Sequence, residues 1–160
     1  MQHIETDFVC PFIESTLNTF STMLNENVVS KEVYIKKNHI MFGDISGTIG
    51  LSGKLSGSAS LSFPAPVAVY CVKKLLGVDP IDKVTDDDIQ DCVGEFLNMV
   101  AGGAKTVLHP TEYEMDFTLP TIISGRGHEL YHRPDTTNIS IIFELESVGE
   151  FAMDVCTNSK

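Results

Sequence analysis

The chain has 160 residues, of which 42% are hydrophobic and 21% are charged. This length is enough to bury a core without disulfide or metal support, so we expect one domain over residues 1–160. The formal net charge of −11 argues against a nucleic-acid partner, because a phosphate backbone requires clustered Lys and Arg. No apolar run approaches the roughly 18 residues of a membrane span, and no secretory signal is visible, which predicts a cytoplasmic protein without a membrane partner.

The first predicted elements are a helix and a region of strands. Apolar spacing predicts a helix over residues 11–24, with Pro11 in its first turn, where the missing N–H costs little. A β region begins at residues 33–35 and leads into a hairpin. The hairpin alternates over residues 45–63 around a turn at 52–54, which predicts half-buried antiparallel strands.

A second helix begins at Pro64 and Pro66 and ends before Gly77, and residues 78–84 form a connector. After the long helix described below, strands are expected over 114–119, 139–145 and 151–156, with 121–138 as a loop or hairpin connection. Helices and strands that occur in separate blocks favour an α+β fold, in which an antiparallel sheet packs against long helices.

The clearest element is one long helix over residues 85–108. Thr85 is a predicted N-cap, and three aspartates follow in the first turn, where carboxylates meet the positive end of the helix dipole. One side of this helix is apolar at helical spacing and requires a core to cover it. The residues of that side are Ile89, Cys92, Val93, Phe96, Leu97, Val100, Ala104, Val107 and Leu108.

The opposite side of the helix carries the candidate site. Glu95 and Asn98 are three residues apart, so their side chains project in the same general direction. Glycines near the pair offer no side chain that would hold a partner away. We therefore interpret the pair as the centre of the functional surface, and the neighbouring polar and glycine positions as candidate contacts for whatever docks there: Asp91, Gly94, Gly102 and Lys105.

A second motif, His128, Glu129 and His132, matches the His-Glu-x-x-His pattern of zinc hydrolases. That chemistry requires a helix to bring both imidazoles to one face. Gly125 and Gly127 precede the motif and Pro134 follows it, so no helix of several turns fits there. We therefore predict no metal site. The four cysteines also lack a Cys-x-x-Cys spacing and are expected to be reduced.

Residues 91–105 resemble the signature helix of the CheC/CheX/FliY phosphatases of bacterial chemotaxis. Further likeness to the CheX branch lies in residues 43–47, 63–64 and 119–121. The resemblance implies a single CheX-like domain that dephosphorylates a CheY-like response regulator. It also implies that Glu95 pairs with the regulator's active-site lysine, while Asn98 holds the attacking water. Such a protein needs no cofactor of its own, since Mg²⁺ is supplied by the receiver domain.

The resemblance also bears on the number of sites and the assembly. CheC-like members carry a second Glu-x-x-Asn in the first helix, whereas here Glu14 is followed three residues later by Leu17 and Asn18 is one place too far. One site is therefore expected, as in CheX, and the likeness implies a homodimer formed by extending the sheet. The alternative is a noncatalytic interaction module of chemotaxis or flagellar signalling, because a shared fold does not fix function.

Overall fold

The computed structural model describes residues 5–77 and 84–158. In these ranges seven strands form one sheet, whose pairs are all antiparallel, in the order β1-β6-β7-β3-β2-β4, with β5 also paired to β2. The strands are β1 (Val28–Ile35), β2 (Ile45–Gly53), β3 (Gly57–Phe63), β4 (Met115–Phe117), β5 (Thr121–Ser124), β6 (Thr136–Leu145) and β7 (Gly149–Asn158). The helices are α1 (Thr6–Leu24), α2 (Ala65–Leu76) and α3 (Asp86–Leu108). The predicted α+β class is confirmed.

The first helix begins five residues earlier than its sequence pattern predicted. Phe8 and Val9 are buried in the core and extend the apolar face of α1 toward the N-terminus. Pro11 consequently lies inside the helix rather than near its start. At the other end, Asn25 adopts the left-handed conformation that closes α1, and Gly77 does the same for α2 as predicted. Most of the predicted connector, residues 78–83, lies outside the described residues.

The prediction that a long hairpin begins at residue 33 was wrong for its first strand. The register pairs Val33 of β1 with Ile141 of β6, so β1 lies at the edge of the sheet far from β2. The hairpin of β2 and β3 was predicted correctly, although its turn lies at residues 54–56. The predicted connection over 121–138 contains the short strand β5, and β6 begins at Thr136.

The helices pack against one face of the sheet and enclose an aromatic core. Phe20 of α1 stacks on Phe96 of α3, with ring centroids 4.9 Å apart, and on Phe151 of β7 at 4.6 Å. Gly47 of β2 lies directly under α3, because a Cβ there would come within 3.0 Å of Val93 Cγ1. The missing side chain of this glycine allows the helix to pack closely on the sheet.

The other face of the sheet is also covered, so the expectation of half-buried strands in the hairpin was wrong for β3. The middle residues of β6 and β7 are likewise buried on both faces. Residues 36–42 and 125–135 fold over this face, where Ile40 and Glu129 form a bridge. Beneath them lies an ion pair between Lys36 and Asp154, whose N–O distance is 2.9 Å and whose side chains are only 6% and 4% exposed. Buried polar residues on these strands share that layer: Ser46, Ser60, Ser62, Asn138 and Ser140.

None of the helices within the described ranges has the length and hydropathy needed to cross a membrane. The four cysteines are all free thiols. Cys71, Cys92 and Cys156 are buried, whereas Cys10 is exposed on α1.

Candidate functional site

The site is built on α3, whose start is fixed by a reciprocal cap. The Thr85 hydroxyl accepts a hydrogen bond from the Asp88 backbone N–H, and the Asp88 carboxylate accepts one from the Thr85 N–H. This capping box satisfies two donors that the first turn leaves free. The predicted N-cap and helix bounds are confirmed.

The rotation of α3 about its axis is set by its buried side. Phe96 and Leu97 are both fully buried between α1 and the sheet. Glu95, which precedes them, is exposed, and Asn98, which follows them, is partly exposed. At about 100° per residue, the two polar side chains lie about 60° apart around the axis and less than one turn apart along it. The structure therefore brings Glu95 and Asn98 to one outward surface.

The side chains of this pair are available to a partner. Among the hydrogen bonds and ion pairs of the described residues, none involves the Glu95 carboxylate or the Asn98 carboxamide. Asp91 is exposed one turn earlier on the same side. A carboxylate and a carboxamide held this way can bind a cation and orient a water molecule, respectively.

The two glycines beside the pair differ in their surroundings. A Cβ at Gly102 would meet no atom within 4 Å, so this position is open to an incoming molecule. A Cβ at Gly94 would make ordinary contacts with Ile122 and Pro120, at 3.8 and 3.9 Å. Gly94 thus faces the chain segment that borders the site, and Gly102 faces open space.

Lys105, predicted to lie on the same side, is engaged within the fold. Its Nζ donates to Asp116 Oδ1 at 2.7 Å and lies 6.0 Å from the centre of the Phe117 ring. The hydrogen bond from Lys105 lowers the pKa of the Asp116 carboxyl below its ordinary value. Lys105 therefore attaches the β4 region to α3 at the edge of the candidate surface.

One position on α3 differs from its sequence-based interpretation. Val107, assigned to the apolar inner side, is 51% exposed. Gly103, next to the candidate contact Gly102, faces α1. A Cβ there would lie 2.2 Å from Ser15 Oγ, which donates to the Val100 carbonyl at 2.7 Å.

The His-Glu-x-x-His match does not form a helical platform. His128 Nε2 lies 2.7 Å from the buried Ser46 hydroxyl, and its Nδ1 lies 2.7 Å from the Gly125 carbonyl oxygen. The Glu129 carboxylate accepts a hydrogen bond from Tyr131 at 2.5 Å. His132 lies in the loop that covers the sheet, where burial lowers its pKa. Within residues 5–77 and 84–158, no three His, Cys, Asp or Glu side chains are grouped to hold a metal.

Cys92 lies on α3 one turn before the pair but faces the core. Burial raises the pKa of its thiol to about 12, so the thiol stays protonated at neutral pH. Cys92 therefore does not offer a nucleophile on the outward surface of α3, where Glu95 and Asn98 lie.

The comparison with known proteins identifies the family. The family model described as chemotaxis phosphatase CheX matches residues 45–144. The chain belongs to this family. The resemblance predicted from residues 91–105 is thereby confirmed, and the fold matches across the family.

A CheY-P phosphatase CheX from Thermotoga maritima is 32% identical over 78 residues, which cover 49% of this chain and 50% of that relative. The match thus spans half of the relative's length. A crystal structure of chemotaxis protein CheX from Desulfovibrio desulfuricans is 33% identical with a TM-score of 0.85, over 94% of this chain and 99% of that chain.

A third match is to the crystal structure of a CheX–CheY–BeF3–Mg²⁺ complex from Borrelia burgdorferi. The TM-score is 0.79 over 95% of this chain and 98% of that chain, with 21% identity. At this level of identity the match shows that the fold is shared.

The contrast between Gly102 and Gly103 predicts opposite effects on stability. Gly102→Ala should stabilise the protein by about 1 kcal/mol, because alanine favours a helix over glycine and the added methyl group meets nothing. Gly103→Ala should destabilise it by about 1–3 kcal/mol, since the methyl group would displace Ser15. Urea unfolding of both variants measures these differences, and equal effects would contradict the packing described here.

Proposed function

We propose that this protein hydrolyses the aspartyl phosphate of a CheY-like receiver domain. The observation that carries this proposal is the outward surface of α3, on which Glu95 and Asn98 are exposed together without partners in the described part of the chain. Membership of the CheX family and the CheY complex of the Borrelia burgdorferi relative support the same reaction and partner. The proposal places the protein in the cytoplasm with its receiver.

Asn98 would position the attacking water. Hydrolysis of an acyl phosphate requires a water molecule in line with the phosphorus, and positioning of this kind accounts for most of the catalysis in phosphoryl transfer. A carboxamide binds water without adding negative charge, whereas a carboxylate would repel the phosphoryl oxygens. A neutral side chain therefore suits this position.

Glu95 would bind the receiver through its active-site lysine, in a charge-assisted contact. The receiver also supplies Mg²⁺, which neutralises the phosphoryl oxygens. This division of groups explains how a chain of net charge −11 acts on a phosphate without an arginine cluster of its own. Asp91 and Gly102 would border the same contact, and the open space at Gly102 leaves room for the partner's backbone.

The first test replaces each member of the pair. Asn98→Ala should lower kcat by about 100-fold, because the water loses its position, and should leave binding of the receiver nearly unchanged. Glu95→Ala should mainly raise KM, since it removes a docking contact. The measurement is the decay rate of the phosphorylated receiver with each variant, recorded over a range of receiver concentrations.

Gln90→Ala provides a matched control, because Gln90 is an exposed carboxamide on the same helix, about 80° around the axis from Asn98. It should retain wild-type activity. If the phosphorylated receiver decays as fast with Asn98→Ala as with wild type, the proposed mechanism is wrong. A noncatalytic interaction module would show itself differently, by binding the phosphoreceiver without shortening its lifetime.

We also propose that the protein is a homodimer joined through β1. Within the described residues this strand pairs only with β6, so its other edge offers free backbone donors and acceptors. Val29 and Val33 are 52% and 45% exposed on this strand. A second copy of β1 would cover both the edge and these side chains.

Val33→Lys tests the dimer, because a charge on the edge strand opposes pairing between copies. Light scattering after size exclusion should give twice 17.5 kDa for wild type and half that mass for the variant. Thr121→Lys, at an exposed position of β5 near the opposite edge, is the control and should remain dimeric. A monomeric wild type would refute this proposal.

A further inference from the structure

Leu119 has the largest exposed fraction, 86%, among the exposed large hydrophobic side chains of the described residues. It lies in residues 118–120, which connect β4 to β5. A protruding apolar side chain does not line a cavity of its own, as a small-molecule site would require. It is suited instead to a depression on another protein.

The connection that carries Leu119 runs alongside α3. At one end Lys105 holds Asp116 and covers the Phe117 ring. At the other end Pro120 lies against Gly94, at 3.9 Å from a Cβ placed there. These two anchor points on α3 are eleven residues apart, about 16 Å along the helix at 1.5 Å per residue. Leu119 directly precedes Pro120, and Gly94, which Pro120 faces, directly precedes Glu95.

The connection is held in place by the sheet. The Thr118 N–H donates to the Gly50 carbonyl at 3.0 Å, and the Thr118 hydroxyl accepts from the Gly50 N–H at 2.8 Å. Thr118 is fixed in this way, and Pro120 restricts the backbone of Leu119, which precedes it. Docking through Leu119 therefore orders few further groups. A preorganised apolar contact of this kind favours association.

The opposite flank of the pair is more polar. Met99 is exposed on α3 there, beside a groove whose α1 side is lined mainly by polar residues, among them Glu14, Asn18 and Thr22. Glu95 and Asn98 therefore lie between the protruding apolar side chain of Leu119 and a mostly polar groove. Protein interfaces commonly combine polar groups with buried apolar anchors in this way.

We propose that Leu119 is a docking residue for the receiver domain and inserts beside the phosphorylation site. This inference rests on the proposed function, which brings the receiver to Glu95 and Asn98 and hence against the neighbouring connection. Leu119 contributes to the binding of the receiver and takes no part in the hydrolytic step. Gly94 has a supporting role, since its missing side chain allows the connection to approach α3.

The test compares Leu119→Ser with Leu119→Met and with Ile40→Ser. Ile40 is another exposed large hydrophobic residue, on the segment that covers the opposite face of the sheet. Leu119→Ser should raise both KM and the Kd for beryllofluoride-treated receiver by about tenfold or more, as loss of a buried leucine predicts, with kcat within about twofold of wild type. Leu119→Met should restore most of the affinity, and Ile40→Ser should behave as wild type.

Kinetics and binding together separate the two proposals. If wild type accelerates phosphoreceiver decay but Leu119→Ser leaves KM and Kd unchanged, this inference is overturned and the proposed function stands. If wild type binds the receiver without hydrolysis, and Leu119→Ser weakens that binding, the docking role holds and the phosphatase proposal fails. If wild type does not bind the receiver, both are overturned. Thermal unfolding should show equal Tm values for wild type and Leu119→Ser, because so exposed a side chain contributes little to the core.

Discussion

Burial of Phe96 and Leu97 between α1 and the sheet is the constraint on which the rest of the structure depends. These two adjacent side chains fix the rotation of α3, and the stacking of Phe20 on Phe96 fixes its position against α1. A rotation by one residue would expose an apolar side chain and bury the Glu95 carboxylate. Burying a phenylalanine or leucine contributes about 1.5–3 kcal/mol, and burying an unpaired carboxylate costs several kcal/mol, so the two effects favour one rotation.

That rotation determines what the surface can do chemically. The outward side of α3 presents the Glu95 carboxylate and the Asn98 carboxamide, with the Asp91 carboxylate one turn earlier. Under the proposed function, the partner contributes the charge neutralisation for the phosphoryl group. A receiver domain does so through its lysine and its Mg²⁺. The connection between β4 and β5, attached to α3 at Lys105 and Gly94, adds an apolar border to that surface.

Much of the fold and of the candidate site could be predicted from the sequence where local signals agreed. For α3, the Thr85 cap, the acidic first turn and the apolar periodicity all indicated the same helix. The start of α1 was missed because Pro11 suits a first turn, whereas the burial of Phe8 and Val9 extends the helix toward the N-terminus beyond it.

The pairing of distant strands was harder to predict from the sequence. Nothing local indicates that β1 pairs with β6, or that two loops cover the polar face of the sheet. Leu119 was noticed only as part of a resemblance, since its exposure is a tertiary property.

The account's central claim, that the Glu95 and Asn98 surface of α3 meets the phosphorylated site of a receiver, is tested most directly by NMR titration. Beryllofluoride-treated receiver with Mg²⁺ would be added to ¹⁵N-labelled protein, and the backbone amides and the Asn98 side-chain amide followed. The account predicts that the largest shift changes cover α3 from Asp91 to Gly102, include the Asn98 carboxamide, and disappear with untreated receiver at the same concentration. Shift changes confined to the loops over the opposite face of the sheet, with an unperturbed Asn98 side chain, would contradict it.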